Sequence, residues 1–314
     1  MNKLSVVVPV YNEADSLPEL YTAIVSGIGE CRNLGVEDHE IWFISDGCTD
    51  GSDDVIKKLI DADKKVKLIS FRRNFGKAAA LQAGFKYAEG DIVVTMDSDL
   101  QDDPAEIRNM IEKLNEGYDM VSGWKVHRKD NAEKRLPSKL FNRVTASASG
   151  LKLHDFNSGF KAYRKEVVKS IDLYGELHRY IPILANRKGF RIAEIPITNH
   201  KRKHGKSKYG FERYLRGLFD SITTSFLAKY YDKPMHFFGR IGLILLAIGI
   251  VICAILTVQW FMGYAIGSRP LLILGILCII LGVQSISTGF IGDLIVDATW
   301  RGRSTESHIK EIIK

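Results

Sequence analysis

Two uncharged apolar stretches, Ile241 to Met262 and Leu271 to Gly292, limit what this chain can fold into more than anything else in it. Each is roughly 22 residues long, enough for a helix to cross a bilayer, and only Gly263 to Pro270 separates them. A pair of buried core helices is the alternative, but two such lengths in succession favour a two-helix transmembrane hairpin. Gln284, Ser285, Ser287 and Thr288 make the second span the more polar one. Their side chains suit bonds to a neighbouring helix or to another subunit, which leaves room for a homo-oligomer.

Charge orients the hairpin. Lys plus Arg exceed Asp plus Glu by 44 to 37, a net charge of +7. Lys201, Arg202, Lys203, Lys206, Lys208, Arg213 and Arg216 collect before the spans, Arg301 and Arg303 follow them, and Arg269 is the single charge between. The positive-inside rule then places both termini and the N-terminal domain of a multi-pass cell-membrane protein in the cytoplasm. Met1 to Pro9 has no signal-peptide pattern, and Cys31, Cys48, Cys253 and Cys278 show no paired spacing, as expected for free cytosolic thiols. The organisation read from composition is a cytoplasmic domain over 1–209, an amphipathic juxtamembrane region over 210–233, the spans within 234–300 and a tail over 301–314. No nucleic-acid partner is expected.

The N-terminal part alternates β-branched apolar runs with helical patterns. Strands are expected at Leu4–Val10, Glu40–Ser45, Val66–Phe71 and Ile92–Met96, with Ser16 and Ser52 capping the helices after the first two and an alanine-rich helix from Lys77 to about Ala88. Such alternation predicts an α/β fold, a Rossmann-like and mostly parallel sheet with helices on both faces, whose ligands bind beyond the carboxyl ends of the strands. Further on, Tyr118–Ser122 and Phe190–Thr198 read as strands and Asn131–Ser149 and His178–Lys188 as helices. Phe211 to Phe226 has the spacing of an amphipathic helix.

The run Ile92 to Pro104 carries the sharpest chemistry. A buried strand there ends in carboxylates, and alternation along an extended chain turns Asp97, Asp99 and Gln101 to one side. Two carboxylates and an amide oxygen make a hard-oxygen site suited to Mg²⁺ or Mn²⁺ that keeps positions for water and phosphate. An acidic turn before a helix is the other reading. It accounts for Asp103, Pro104 and Glu106 as cap, first-turn proline and third-position glutamate, but not for Asp97, Ser98 and Asp99.

Val7-Val8-Pro9-Val10-Tyr11-Asn12-Glu13, Asp46-Gly47, Arg73-Asn74-Phe75-Gly76-Lys77 and Asp97-Ser98-Asp99-Leu100-Gln101, in that order, resemble the family 2 glycosyltransferases of GT-A fold. Within them the chain is most similar to the polyprenyl-phosphate glycosyltransferases, which include dolichol-phosphate mannose synthase and the bactoprenol glucosyltransferases. The resemblance implies inverting transfer of a sugar from a UDP- or GDP-linked donor to undecaprenyl or dolichyl phosphate. Pro9, Tyr11, Glu13 and Asp46 would hold the nucleoside, Lys77 and Ser98 would serve the rest of the nucleotide sugar, and Asp97, Asp99 and Gln101 would hold Mg²⁺ or Mn²⁺. Asp99 and Asp155 would be catalytic, and Arg128, Arg143 and Arg202 would bind the acceptor phosphate. The chain departs from the bacterial glucosyltransferase pattern at Gly159, where an acidic residue would precede the phenylalanine, so Asp155 stays open as either a base or an orienting group. A phosphate monoester with a second pKa near 6 hardly needs a base at neutral pH. A processive polysaccharide synthase would carry a Gln-x-x-Arg-Trp motif and more spans, and neither occurs here. A nucleotide-binding scaffold without catalysis is the remaining rival, and the intact Asp97 and Asp99 argue against it.

Overall fold

The computed structural model describes residues 3–125, 151, 153–175, 177–200, 226, 230, 233–265 and 270–301. They divide into two compact units, Met1–Ser225 and Phe226–Lys314.

The first unit is built on a seven-stranded sheet in the order β3-β2-β1-β4-β6-β5-β7. Its strands are β1 (Lys3–Val10), β2 (Asp38–Ser45), β3 (Val66–Ser70), β4 (Ile92–Thr95), β5 (Met120–Lys125), β6 (Lys161–Arg164) and β7 (Ile192–Ile197). All run parallel except β6, which lies antiparallel between β4 and β5. The mostly parallel sheet is therefore as expected. The antiparallel insertion was not, because Lys161–Arg164 has only four residues and a lysine opens it.

Helices α1 (Leu17–Gly29), α2 (Ser52–Ala62), α3 (Lys77–Tyr87), α4 (Ile107–Asn115), α5 (Lys165–Ser170) and α6 (Ile181–Arg187) cover the sheet. Contacts group α1 with α2 and α4, and α3 with α5 and the 3₁₀ turn Leu177–Tyr180, so both faces are covered. Alternation along β1 sends Leu4, Val6, Val8 and Val10 into one core with Leu20 and Met110. On the other face Phe85 meets Tyr163 edge-on at 5.5 Å between centroids. Strand order 3-2-1-4 reverses its winding between β1 and β4, and that crevice is where open α/β sheets bind ligands.

Neither expected serine cap forms. The Ser16 hydroxyl donates instead to the carbonyls of Glu13 (2.9 Å) and Ser98 (2.8 Å), tying the start of α1 to the loop after β4. Ser52 is the first residue of α2; left-handed Gly51 takes the cap position and the Ser52 hydroxyl donates to Asp50 Oδ1 at 2.5 Å. Asp103 does cap the turn Pro104–Glu106 by accepting the Ala105 N–H, at 3.0 Å. The expected helix over His178–Lys188 is split into the 3₁₀ turn and α6. Trp124 and Lys125, read as loop residues, extend β5.

The second unit holds α7 (Pro234–Phe261) and α8 (Pro270–Arg301). Both are long and apolar enough to cross a membrane, and only 17% of each apolar window is buried, unlike core helices of a soluble fold. They pack through glycines spaced by seven residues. A Cβ at Gly242 would stand 2.7 Å from the Gly282 carbonyl oxygen, and one at Gly249 would stand 2.7 Å from that of Gly275. Small residues let the two backbones approach closely where lipid gives no hydrophobic push. Thr288 donates to the Gln284 carbonyl one turn back in its own helix, at 2.9 Å, rather than to a neighbour. Asp293 accepts the Met235 N–H (3.1 Å), satisfying a donor in the first turn of α7. The helices expected over Asn131–Ser149 and Phe211–Phe226 and the tail after Arg301 lie outside the described residues, apart from Phe226 itself.

Candidate active site

Three loops leave the carboxyl ends of β1, β2 and β3 and are laced together. Asn12, at a left-handed φ of 56°, accepts the Thr49 N–H on Oδ1 (2.8 Å), and the Glu13 N–H donates to Ser52 Oγ (3.2 Å). Asp46 is buried, and its two oxygens accept the N–H groups of Phe75 (2.7 Å) and Gly76 (2.9 Å). Its carboxylate thus holds the entry to α3 in place, so Lys77 opens that helix at a fixed position. Pro9 closes β1 and Tyr11, 46% exposed, follows it.

Lys77 reaches across to the loop after β4 and pairs with Asp97 Oδ1. Burial would push the Asp97 carboxyl up, but Lys77 beside it, with Lys125 and Lys161 farther off, holds it down at about 2. The alternation expected for Asp97, Asp99 and Gln101 does not occur. The strand ends at Thr95, the chain bends through Ser98 to Leu100, and Leu100 takes a left-handed φ of 60° with its side chain buried. Asp99 Oδ1 accepts the Gln101 N–H (3.2 Å), an Asx turn, and the Gln101 carbonyl accepts the His200 N–H (2.8 Å). The three residues still share one loop, but a turn places them, not the pleat of a strand.

Asp102, read as a helix-start residue, has another role. It is buried, bridges to Asn199 and forms an ion pair with Lys125 Nζ at 2.7 Å. Burial lowers the Lys125 pKa, but Asp102 beside it, with Asp97 and Asp99 nearby, raises it above the ordinary value.

β6 brings the segment around Asp155 to the same edge. Lys161 sits opposite Thr95 of β4 and Ser122 of β5. Asp155 is buried; its Oδ1 accepts the Asn157 N–H (3.1 Å), and its own N–H donates to Glu194 (2.9 Å). Gly159 packs directly against Asp97, and Thr95 Oγ1 donates to its carbonyl at 2.9 Å. Burial pushes the Lys161 ammonium down to about 8 against the opposing pull of Asp155. His178 lines the same region; burial, then the positive charges of Lys77, Arg179 and Lys161, push its imidazole down to about 3.

The structure thus gathers Pro9, Tyr11, Glu13, Asp46, Lys77, Asp97, Ser98, Asp99, Gln101 and Asp155 on one edge of the sheet. Arg128, Arg143 and Arg202 lie outside the described residues. Sequence reasoning gave no role to Lys125, Lys161 or His178. The signal for Lys161 was present: it is a lone charge in the apolar run Phe160-Lys161-Ala162-Tyr163. A hard cation would find the Asp97 and Asp99 carboxylates. Among the described residues no group of three His, Cys, Asp or Glu converges as a metal site, which suits Mg²⁺ or Mn²⁺ shared with phosphate better than a closed all-protein cage.

Comparison with known proteins agrees with this architecture. The glycosyl transferase family 2 model matches residues 5–172. Dodecaprenyl-phosphate galacturonate synthase of Rhizobium johnstonii is 34% identical over 319 residues, covering 98% of this chain and 91% of that protein. An undecaprenyl-phosphate 4-deoxy-4-formamido-L-arabinose transferase of Shewanella sediminis is 34% identical, covering 93% and 86%. Among solved structures, glucosyl-3-phosphoglycerate synthase of Mycobacterium tuberculosis with Mn²⁺, UDP-glucose and phosphoglyceric acid superposes with a TM-score of 0.53 at 19% identity, over 72% of this chain and 79% of that one. A Pyrobaculum calidifontis mannosyltransferase with GDP-Man and Mn²⁺ gives 0.53 at 16% identity, over 97% and 76%. These structures share the GT-A fold, and by the family match and the identity along its length this chain belongs to glycosyl transferase family 2.

Proposed function

We propose that this chain is a membrane-bound inverting glycosyltransferase that moves a sugar from a UDP- or GDP-linked donor to a polyprenyl phosphate at the cytoplasmic membrane face. The observation that carries the reading is the 34% identity to dodecaprenyl-phosphate galacturonate synthase over 98% of the chain. That match takes in the two apolar helices along with the sheet, and an acceptor with an isoprenoid tail cannot leave the bilayer. Basic residues flanking the helices, with Arg269 alone between them, support cytoplasmic placement of the sheet domain.

In this reading Pro9, Tyr11 and Glu13 line the nucleoside side, and Asp46 acts through the loop it fixes. Asp97, Asp99 and Gln101 hold Mg²⁺ or Mn²⁺, which when bound supplies positive charge to the departing nucleoside diphosphate. Lys77 moves its ammonium from Asp97 to a diphosphate oxygen, where the start of α3 adds backbone N–H groups. Ser98 is fixed through its carbonyl by Ser16. The acceptor phosphate, already dianionic at neutral pH, attacks the anomeric carbon in line, oriented by Arg128, Arg143 and Arg202. Asp155, tied into its turn and lying across from Lys161, serves as an orienting charge and not as a base.

The test incubates membranes holding the full chain with UDP- and GDP-sugars and undecaprenyl phosphate. A lipid-linked sugar should form with one donor class, EDTA should stop it, and Mn²⁺ or Mg²⁺ should restore it. Asp99→Ala should lower transfer about 100-fold or more. Full activity in that variant removes the metal assignment, and absence of lipid product with every donor removes the function.

A further inference from the structure

Beside Asp97 a recess enters the α3 and α6 face of the sheet. Lys77, Thr95, Ser158, Lys161, Tyr163 and His178 form its polar wall, and Leu81 and Ile181 its apolar one. Lys77 pairs with Asp97, and the α-carbon of Gly159, also in the wall, abuts the same carboxylate. The recess therefore begins where the donor's diphosphate would end.

Two polar groups in that wall lack partners. Lys161 is only 2% exposed and makes no hydrogen bond or ion pair with any described residue. The buried Nδ1 of His178 is likewise without a hydrogen-bond partner. Buried polar groups are normally satisfied, so two adjacent orphans mark a place that a ligand completes. Burial and the neighbouring cations keep His178 neutral. A neutral imidazole nitrogen either donates or accepts according to tautomer, whereas an ammonium only donates. A hydroxyl fits both at once, accepting from Lys161 and donating to His178. Leu81, Ile181 and the ring of Tyr163 offer the apolar surface that matches the C–H faces of a pyranose.

We propose that this recess takes the sugar of the donor and that Lys161 and His178 together grip one of its hydroxyl oxygens, so that these two residues select among sugars. The inference rests on the reading of the chain as a nucleotide-sugar-dependent transferase. It assigns the selection of sugar to β6 and the turn before α6, not to the β1–β3 loops on the nucleoside side.

The full chain in detergent, with Mn²⁺, is tested as wild type, Lys161→Met and His178→Leu. UDP and GDP binding is measured by titration calorimetry. Transfer to undecaprenyl phosphate is measured from UDP-glucose, UDP-galactose, UDP-N-acetylglucosamine, GDP-mannose and their deoxy-sugar analogues. Both variants should bind the parent nucleoside diphosphate within twofold of wild type. Their kcat/KM for the preferred donor should fall at least tenfold, and the preference for the natural sugar over its deoxy analogues should collapse at least fivefold. Equal losses for nucleoside diphosphate and nucleotide sugar would make this a phosphate site and overturn the proposal, as would an unchanged ranking of sugars. Lys161→Gln and His178→Asn serve if the first pair unfolds; loss of folding in all four would show a structural role and also overturn it. A wild type without lipid product from any donor defeats the proposed function, whereas a wild type that transfers while its variants keep its sugar ranking defeats this inference alone.

Discussion

The α-carbon of Gly159 lies against the carboxylate of Asp97: a Cβ on residue 159 would stand 2.6 Å from Oδ2 and 2.7 Å from Oδ1. That contact explains the chain's departure from the bacterial glucosyltransferase pattern, since an acidic side chain here would collide with a carboxylate and repel it. Gly159→Ala should turn Asp97 aside with the fold intact. Transfer should fall about 100-fold, the scale of a catalytic group misplaced by an ångström, with a higher Mn²⁺ concentration needed for half-activity. Activity assayed against Mn²⁺, beside a thermal melt, checks both halves.

Lys125 and Asp102 form a pair whose side chains are 12% and 0% exposed. Breaking a buried pair strands a charge, so Asp102→Ala should destabilise the protein by about 3–5 kcal/mol. Replacing both, as Asp102→Leu with Lys125→Met, should recover most of that loss. Thermal unfolding of the two variants decides it; equal stability for Asp102→Ala and wild type would contradict the pairing.

Glu40 lies at the amino end of the sheet, away from the site, and accepts from Ser5 Oγ (2.6 Å), Lys67 Nζ (2.7 Å) and the Glu89 N–H (2.8 Å). Burial raises its pKa, but these bonds outweigh burial and hold it at about 2, below its ordinary 4.5. A carboxyl lowered on folding adds stability that is present above about 4.5 and is lost as pH falls toward 2. The contribution is about 3 kcal/mol. The melting temperature of wild type should therefore drop between pH 5 and 3 by more than that of Glu40→Gln, which starts lower at pH 7.

The hairpin rests on backbone contact at its glycines, so Gly282→Leu should push α7 and α8 apart. The expected cost is about 1–3 kcal/mol in detergent. Leu281→Ala, on the exposed side of α8, should change the melting temperature little. A similar melt for both variants would contradict the glycine interface.

The parts of this fold legible in the sequence are those with local causes. Valine-rich runs followed by polar turns gave β1 to β4, and length with apolarity gave both long helices. What escaped depends on distance or on unusual backbone. β6 hides in a segment where Lys161 breaks the apolar pattern, and its placement beside β4 needs the whole sheet. Leu100 at φ 60° gives no hint in its residue type, yet it turns the metal loop out of the extended form on which alternation relied. Asp102 finds Lys125, and Asp46 finds the Phe75 and Gly76 amides, only after strands distant in sequence are side by side. The nucleotide-side residues were recognised as a set because four motifs recur in family order. Lys161 and His178 lay outside those motifs.

The central claim is glycosyl transfer to a polyprenyl monophosphate, and its most direct measurement is the stoichiometry and mass of the products. With the full chain, one nucleotide-sugar donor and undecaprenyl phosphate, the account predicts one nucleoside diphosphate released for each lipid formed and a lipid mass of one sugar on one phosphate. Release of nucleoside monophosphate with a pyrophosphate-linked lipid, or a product in which sugar is joined to sugar, would contradict it.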